Sequence, residues 1–387
     1  MRILRSIHSV NPAGGGPIEG IKQVARVHSA AGHETEIVSL DAPDAPWVKE
    51  CPVKVHAMGP GRTGYGYSAR FAPWLAEHRW DYDAVIVSGL WQYSGFGVWR
   101  ALRRTDTPYF VFPHGMLDPW FKRTYPLKHL KKWLYWPWAD YRMLRDARAV
   151  LFTSEEERRA ARESFWLYRC NEIVVAYGVA APPDDGGVAQ RAVLDRFPEL
   201  RGKRVFLFLS RIHEKKGCDL LIRAFAKVAA SNEDIRLVFA GPDQTGWARE
   251  LKTLADGLGI SGKLLWTGML SGDLKWGMLR LAETFILPSH QENFGIAVAE
   301  ALACGTPALI SNKVNIWREV LADDAGLVDE DDEPGTLRLL GNWLALTAER
   351  RLAMRLNART SFRAHFEVTR AAESLIQAIQ NASEKSR

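Results

Sequence analysis

Apolar positions along this chain fall into short runs, separated by longer stretches in which they recur at helical spacing. Ile3–Val10 predicts a first strand, followed by the loop Asn11-Pro-Ala-Gly-Gly-Gly16. A helix is predicted from Pro17 to Ala31, with Pro in its first turn and Gly32 as its stop. Glu34–Leu40, Asp83–Ser88, Pro108–Phe112, Val150–Thr153 and Ile173–Val175 predict further strands. Strands separated by helical stretches predict a parallel α/β architecture, whose ligands bind beyond the carboxyl ends of the strands.

The pattern breaks at Ala180-Ala-Pro-Pro-Asp-Asp-Gly-Gly187, a polar Pro/Gly stretch that reads as a linker, and then restarts. Strands are predicted at Arg204–Leu209, Arg236–Ala240, Leu264–Thr267 and Ala308–Ser311, and helices over 218–230, 246–259 and 270–282. A strand, loop and helix occupy 284–304, and helical periodicity returns over 334–381. With 387 residues the chain exceeds one hydrophobic core. The expectation is two Rossmann-like halves, 1–182 and 183–365, with a last helix in 366–387.

Composition is that of an ordinary globular protein, 47% hydrophobic and 25% charged. No apolar run is long enough to span a bilayer, and the N-terminal residues enter a strand pattern without a signal-peptide core. Cys51, Cys170, Cys218 and Cys304 are scattered, which predicts free thiols in a reducing cytoplasm. The net charge of +6 is uneven: residues 101–150 hold 10 Lys and Arg against 4 Asp and Glu. Lys122, Arg123, Lys128, Lys131 and Lys132 are interleaved there with Trp120, Phe121, Tyr125, Trp133, Tyr135, Trp136 and Trp138. That mixture suits peripheral contact of residues 120–138 with an anionic membrane, or else aromatics that fill a core beneath solvated lysines. No nucleic-acid-binding motif is present, so no nucleic-acid partner is expected.

The most informative segment is 288–307. Glu292 lies in a strand-to-helix loop and Glu300 one to two turns into the helix, which Gly305 and Pro307 stop. Asn293, Phe294 and Gly295 form the turn, leaving the N–H groups of Gly295, Ile296 and Ala297 to face a phosphate or sugar hydroxyl. Two carboxylates with donor amides between them suit a nucleotide sugar. Spacing alone is weak, since two glutamates eight apart are usually solvated. The full string is stronger: Glu292, Asn293-Phe294-Gly295, Glu300-Ala301-Leu302 and Gly305-Thr306-Pro307 resemble the retaining nucleotide-sugar glycosyltransferases of family 4. The resemblance implies the GT-B fold, two Rossmann-like parallel-sheet domains facing a cleft, with a C-terminal helix crossing back to the first domain. It implies an acceptor-binding first domain and a nucleotide-sugar-binding second.

A second string supports it. Ser210-Arg211-Ile212-His213-Glu214-Lys215-Lys216-Gly217 resembles the family's Gly-Arg-Leu…Lys-Gly, with Ser210 in place of the glycine. Arg and Lys around a turn can converge on a diphosphate, and the resemblance assigns Arg211 and Lys216 that role. Glu292 would hold donor-sugar hydroxyls and Glu300 the ribose. Asn293, Phe294, Gly295 and Ile296 would line the donor, together with Gly15 and Gly16 of the glycine loop, whose backbone admits close approach. Pro113-His114-Gly115 follows a strand, and the family carries His-Gly at this point near the donor sugar. His114 is therefore a catalytic candidate, with Asp118 on the acceptor side.

Other readings are weaker. The glycine loop does not spell Gly-x-Gly-x-x-Gly, although Asp41 ends the second strand about where a dehydrogenase would bind ribose. Asp81-Tyr82-Asp83 has an Asp-x-Asp form but precedes a strand, at the end away from the expected site. No metal-ligand cluster is visible and no cofactor is expected, since cations and helix dipoles can stabilise a departing diphosphate. Ala176-Tyr177-Gly178-Val179 departs from the family's Pro-Asn-Gly-Val. These readings predict a cytoplasmic, metal-independent hexosyltransferase, free in the cytoplasm or peripheral on the membrane. It would move a hexosyl group from a UDP-hexose or GDP-mannose to a glycan or lipid-linked acceptor, as in polysaccharide or lipopolysaccharide assembly. The alternatives are a non-catalytic nucleotide-sugar-binding module, and a GT-B epimerase or phosphorylase.

Overall fold

A computed structural model describes residues 1–384. The chain forms two compact units, Met1–Ala180 with the C-terminal segment from Val368, and Ala181–Glu367. In the first unit, β1 (Arg2–Ser6), β2 (Glu34–Ser39), β3 (Val55–Ala57), β4 (Ala84–Ser88), β5 (Tyr109–Phe112), β6 (Ala149–Phe152) and β7 (Glu172–Val174) form one sheet. Its order is β3-β2-β1-β4-β5-β6-β7, and every neighbouring pair is parallel. Alternation along the strands sends side chains to two cores. Leu4, Val85, Val87 and Val111 face one, and Ile3, Ile86, Phe110 and Leu151 face the other.

That second core explains the fate of the C-terminus. The helix Val368–Glu384 places Leu375, Ile376, Ala378, Ile379 and Ala382 against Ile3, Ile86 and Phe110. Polar groups pin it as well: Ala176 N–H donates to Ser374 Oγ at 3.1 Å, and the buried His28 ring lies 3.2 Å from the Ala372 carbonyl. The last helix thus belongs to the first unit, as the GT-B architecture requires. It begins at Val368, two residues beyond the boundary read from the sequence. The break at Ala180/Ala181 likewise falls two residues before the expected one.

The second unit repeats the plan with β8 (Arg204–Leu209), β9 (Ile235–Ala240), β10 (Leu264–Gly268), β11 (Thr284–Leu287), β12 (Ala308–Ser311) and β13 (Gly326–Asp329). The order β10-β9-β8-β11-β12-β13 is parallel throughout. In each sheet the order in which the chain adds strands reverses once, between β1 and β4 and between β8 and β11. In such sheets ligands bind beyond the carboxyl ends of the strands at that switch point.

Three differences from the sequence reading have physical causes. β1 ends at Ser6 rather than Val10, because the Val10 N–H leaves the ladder and donates to Asp41 at 2.8 Å. The edge strands β3 and β13 were not foreseen. Both are short and mostly half-buried, so they lack the continuous apolar run that marks the central strands.

Candidate functional site

Two loops flank the switch point of the second sheet, Ser210–Gly217 after β8 and Pro288–Gly295 after β11. Gly217 holds a left-handed φ of 66°, and a Cβ there would lie 2.3 Å from the Pro288 carbonyl oxygen. Only glycine lets the loops approach this closely. Ser289 Oγ and the His290 N–H both donate to the Lys215 carbonyl, at 3.0 and 2.8 Å. Glu292 is fixed through its backbone: its N–H donates to Lys313 O at 2.9 Å, and its carbonyl accepts from Asn315 at 3.0 Å. These bonds deliver the buried Lys216 ammonium onto the Glu292 carboxylate. Burial would push the Glu292 pKa up, but Lys216, Lys215 and Arg211 outweigh it and hold the carboxyl below its ordinary value. The site therefore keeps Glu292 ionised, ready to accept from hydroxyls, with cationic charge beside it.

Gly295 (φ 78°) turns the chain into the helix Ile296–Ala303, whose first amides have no intrahelical acceptor. One turn on, the buried Glu300 accepts from Lys275 Nζ at 2.8 Å. Lys275 sits on the helix Gly272–Leu281, and no motif pointed to it. Nothing in the sequence set it apart from Asp273 and Arg280, the other charges of that helix. Arg211 is exposed, its guanidinium 3.5 Å from Gln244 Oε1. Phe294 is buried and packs edge-on against Phe366 at 5.8 Å. That packing anchors the Phe294 ring within the second unit.

In the first unit, Gly14 and Gly15 are exposed after β1, with Gly15 at φ 80° and Gly16 opening the helix Gly16–Ala30. His114 follows β5 in a left-handed conformation (φ 51°), strained for a non-glycine residue. Its ring stacks on Phe112 with centroids 5.4 Å apart and meets the edge of Tyr177 at 6.1 Å. The Gly115 N–H donates to Glu157 at 2.6 Å, anchoring the loop. Burial, reinforced by the charge of Arg5, lowers the His114 pKa to about 3. At neutral pH the imidazole is uncharged, suited to a hydrogen bond and not to donating a proton as imidazolium. Asp118 accepts from the Trp120 N–H at 2.8 Å, at the head of the helix Trp120–Thr124.

Two rival readings lose their support. Asp41 takes three protein donors, Ser9 Oγ, Val10 N–H and Trp47 Nε1, and so ties down the loop after β1 instead of presenting a free carboxylate to ribose. Asp83 accepts from the Arg2 backbone at the amino end of the first sheet, away from the switch point.

Residues 193–361 match the Glycosyl transferases group 1 family, and residues 15–178 match the Glycosyl transferase 4-like domain. The chain belongs to the family 4 glycosyltransferases of GT-B fold.

Among relatives, this family 4 chain is 31% identical over 206 residues to the D-inositol 3-phosphate glycosyltransferase of Geodermatophilus obscurus, covering 51% of this chain and 45% of that protein. It is 33% identical over 186 residues to the phosphatidyl-myo-inositol mannosyltransferase of Mycolicibacterium smegmatis, covering 47% and 45%. The chain spans about half the length of the curated relatives it matches. The solved structure of Anabaena HepE with UDP and glucose superposes with a TM-score of 0.77 at 15% identity, over 98% of this chain and 100% of that one. At that identity the likeness speaks for the fold.

Against the family pattern, the glycosyltransferase departs at Tyr177, whose pKa burial raises to about 12. Beside it lies Arg5, which sequence reasoning passed over. Its only signal was a charge following the apolar pair Ile3-Leu4 within β1.

Proposed function

We propose that the protein is a retaining glycosyltransferase that moves a hexosyl group from a nucleotide-diphosphate sugar to an acceptor hydroxyl. The observation that carries this reading is the meeting of Lys216 and Glu292, 76 residues apart, at the carboxyl ends of β8 and β11. Lys216 and Arg211 would neutralise the diphosphate as it leaves, Glu292 would accept from the sugar hydroxyls, and Glu300, oriented by Lys275, from the ribose. The Ile296 and Ala297 amides, at the positive end of their helix, would add donors to the phosphates. The bond from the anomeric carbon to the β-phosphate oxygen breaks, a bond from that carbon to the acceptor oxygen forms, and the acceptor proton passes to the leaving diphosphate. The uncharged His114 would hydrogen-bond the donor sugar, and Gly15 and Gly16 would admit its phosphates. Asp118 belongs to acceptor binding in the first unit. This chemistry needs no metal or cofactor.

The test is a thermal-shift screen against UDP, GDP and ADP, followed by transfer assays with the matching sugars. Stabilisation by one nucleotide with turnover of its sugar supports the reading. Binding without turnover favours the non-catalytic module, and no binding overturns both. A UDP-hexose is the first donor to try, in view of the UDP and glucose bound in the HepE structure.

A glycan or lipid-linked acceptor at an anionic membrane surface fits the basic-aromatic segment. Residues 119–139 hold five Lys and Arg and no acidic residue. On the helix Pro126–Tyr135, Leu127 is 79% exposed, and Leu130 and Leu134 lie on the same face, also exposed. Trp133, Trp138 and Trp166 are exposed around them, with the Trp133 and Trp166 rings 6.1 Å apart. Trp136 alone of the tryptophans at 133–138 is fully buried, stacked on Phe165 at 4.2 Å. Exposed leucines and tryptophans beside the exposed Lys122, Lys128 and Lys131 match the chemistry of a bilayer interface. The contact proposed is peripheral, and among the described residues no helix is long and apolar enough to cross a membrane.

A further inference from the structure

Arg5 is the least compensated charge in the first unit's site region. It projects from β1 on the same face as Ile3, beneath the helices Gly16–Ala30 and Val368–Glu384, and is only 6% exposed. A guanidinium keeps its charge at any accessible pH. Yet among the described residues its hydrogen bonding is a single long bond, Nη2 donating to Ser88 Oγ at 3.3 Å, and its buried Nε–H finds no partner there. No described carboxylate pairs with it, and burial lowers its pKa to about 10. Its Cζ lies 5.4 Å from the Phe112 ring centroid. That cation–π contact returns less than taking an ion out of water costs. The protein around Arg5 does not make up the difference.

A cavity of about 20 Å³ adjoins the guanidinium, lined also by Pro17, Gly20, Tyr177, Phe112 and Leu375. Pro17 and Gly20 come from the first turns of a 15-residue helix, whose positive end adds to the potential. One water-sized atom needs about 10–15 Å³ by this measure. The space therefore admits the tip of an anion and not a nucleotide. We infer that Arg5, with Tyr177 and the first turns of the helix Gly16–Ala30, forms a subsite for a terminal oxyanion, the carboxylate or phosphate group of an acidic acceptor. The assignment to the acceptor rests on the proposed transferase reading. The anion site itself does not.

The test measures binding without any nucleotide sugar, so absent transfer activity would leave it standing. Wild type, Arg5→Gln and Gly20→Ala are titrated with inorganic phosphate, acetate and chloride at matched ionic strength, read by thermal shift and calorimetry. A Cβ on Gly20 would lie 2.3 Å from Tyr177 Oη, so Gly20→Ala crowds the cavity and leaves the guanidinium in place. Wild type is expected to be stabilised by phosphate, acetate or both, with affinity about tenfold or more weaker in each variant, as loss of a charged hydrogen bond implies. Response to phosphate alone assigns a phosphate-bearing acceptor, and response to acetate alone a carboxylate. Should Arg5→Gln fail to fold, Gly20→Ala carries the test. An unresponsive wild type, variants that respond like wild type, or chloride matching both oxyanions would overturn the proposal.

Discussion

Lys216 and Glu292, carried by the loops that follow β8 and β11, form an ion pair whose ammonium is almost wholly buried. Such a pair is costly to break from one side, because the surviving charge is left in a poorly solvated place. In the proposed reaction the two residues serve different parts of the donor, so their contact also sets the spacing between sugar and diphosphate. Lys216→Met and Glu292→Gln should each cost about 3 kcal/mol in urea denaturation and lower kcat on the order of 10²–10³-fold. Rates measured on folded variants with a radiolabelled nucleotide sugar check this. A loss of less than about threefold in either would remove that residue from the chemistry.

Gly217 is predicted to be intolerant for a geometric reason. Alanine would add a left-handed strain and drive a Cβ into the Pro288 carbonyl, prising apart the loops that carry Lys216 and Glu292. Gly217→Ala should therefore weaken nucleotide binding by about tenfold, a loss of about 1.4 kcal/mol. Gly202→Ala is a control, since it has the same sign of φ but open space around its Cβ position. Equal nucleotide affinity in the two variants would count against loop approach as the cause.

Acid sensitivity should track two histidines. Burial lowers the His114 pKa to about 3, helped by the charge of Arg5, and burial lowers that of His28 to about 4. Both stay neutral in the folded state while the unfolded chain takes up protons below about 6.5. The unfolded state then binds more protons, so stability is full above about pH 6.5 and falls as pH drops toward the folded values. His114→Asn, which suits the left-handed backbone, should remove about 1–2 kcal/mol of the loss between pH 6.5 and 5. Urea melts at the two pH values decide the point, and an unchanged difference would mean that His114 is protonated in the folded protein.

The exposed leucines of Pro126–Tyr135 can be altered without touching a core. Leu127→Ser, Leu130→Ser and Leu134→Ser combined should leave Tm nearly unchanged, because surface changes are usually within about 0.5 kcal/mol. Co-sedimentation with vesicles containing phosphatidylglycerol should fall by about tenfold or more, since each buried CH₂ contributes about 0.8 kcal/mol. Wild-type binding should also weaken with added salt. Undiminished sedimentation of the triple variant would refute membrane docking by this face.

A chelator provides the last check. EDTA should leave the transfer rate unchanged if, as proposed, the charge facing the leaving group is supplied by Arg211, Lys216 and the helix-start amides. Loss of activity restored by added Mg²⁺ or Mn²⁺ would overturn the metal-free reading.

Much of the fold was legible along the chain. Central strands such as Ala84–Ser88 and Ala308–Ser311 are buried on both faces and so read as unbroken apolar runs. β3 and β13 lie at sheet edges, where half-burial relaxes that demand, and their sequences gave no comparable signal. In the site, Glu292, Glu300, Arg211 and Lys216 stood out because each belongs to a local string of turn and helix-start residues. Lys275 and Arg5 belong to no string. Each is an ordinary charge in its own element and gains meaning only from what lies opposite.

By itself, then, the chain determined its two α/β halves, the loops that begin each helix and the residue types those loops present. These follow from periodicity and turn chemistry, which act over a few neighbouring residues. The tertiary structure alone decided that Lys216 pairs with Glu292, that Lys275 holds Glu300 and that the C-terminal helix covers Ile3 and Phe110. It alone left Arg5 buried with no acid paired to it among the described residues. Those outcomes depend on strand order, and strand order is chosen by which surfaces can be buried together across the whole chain.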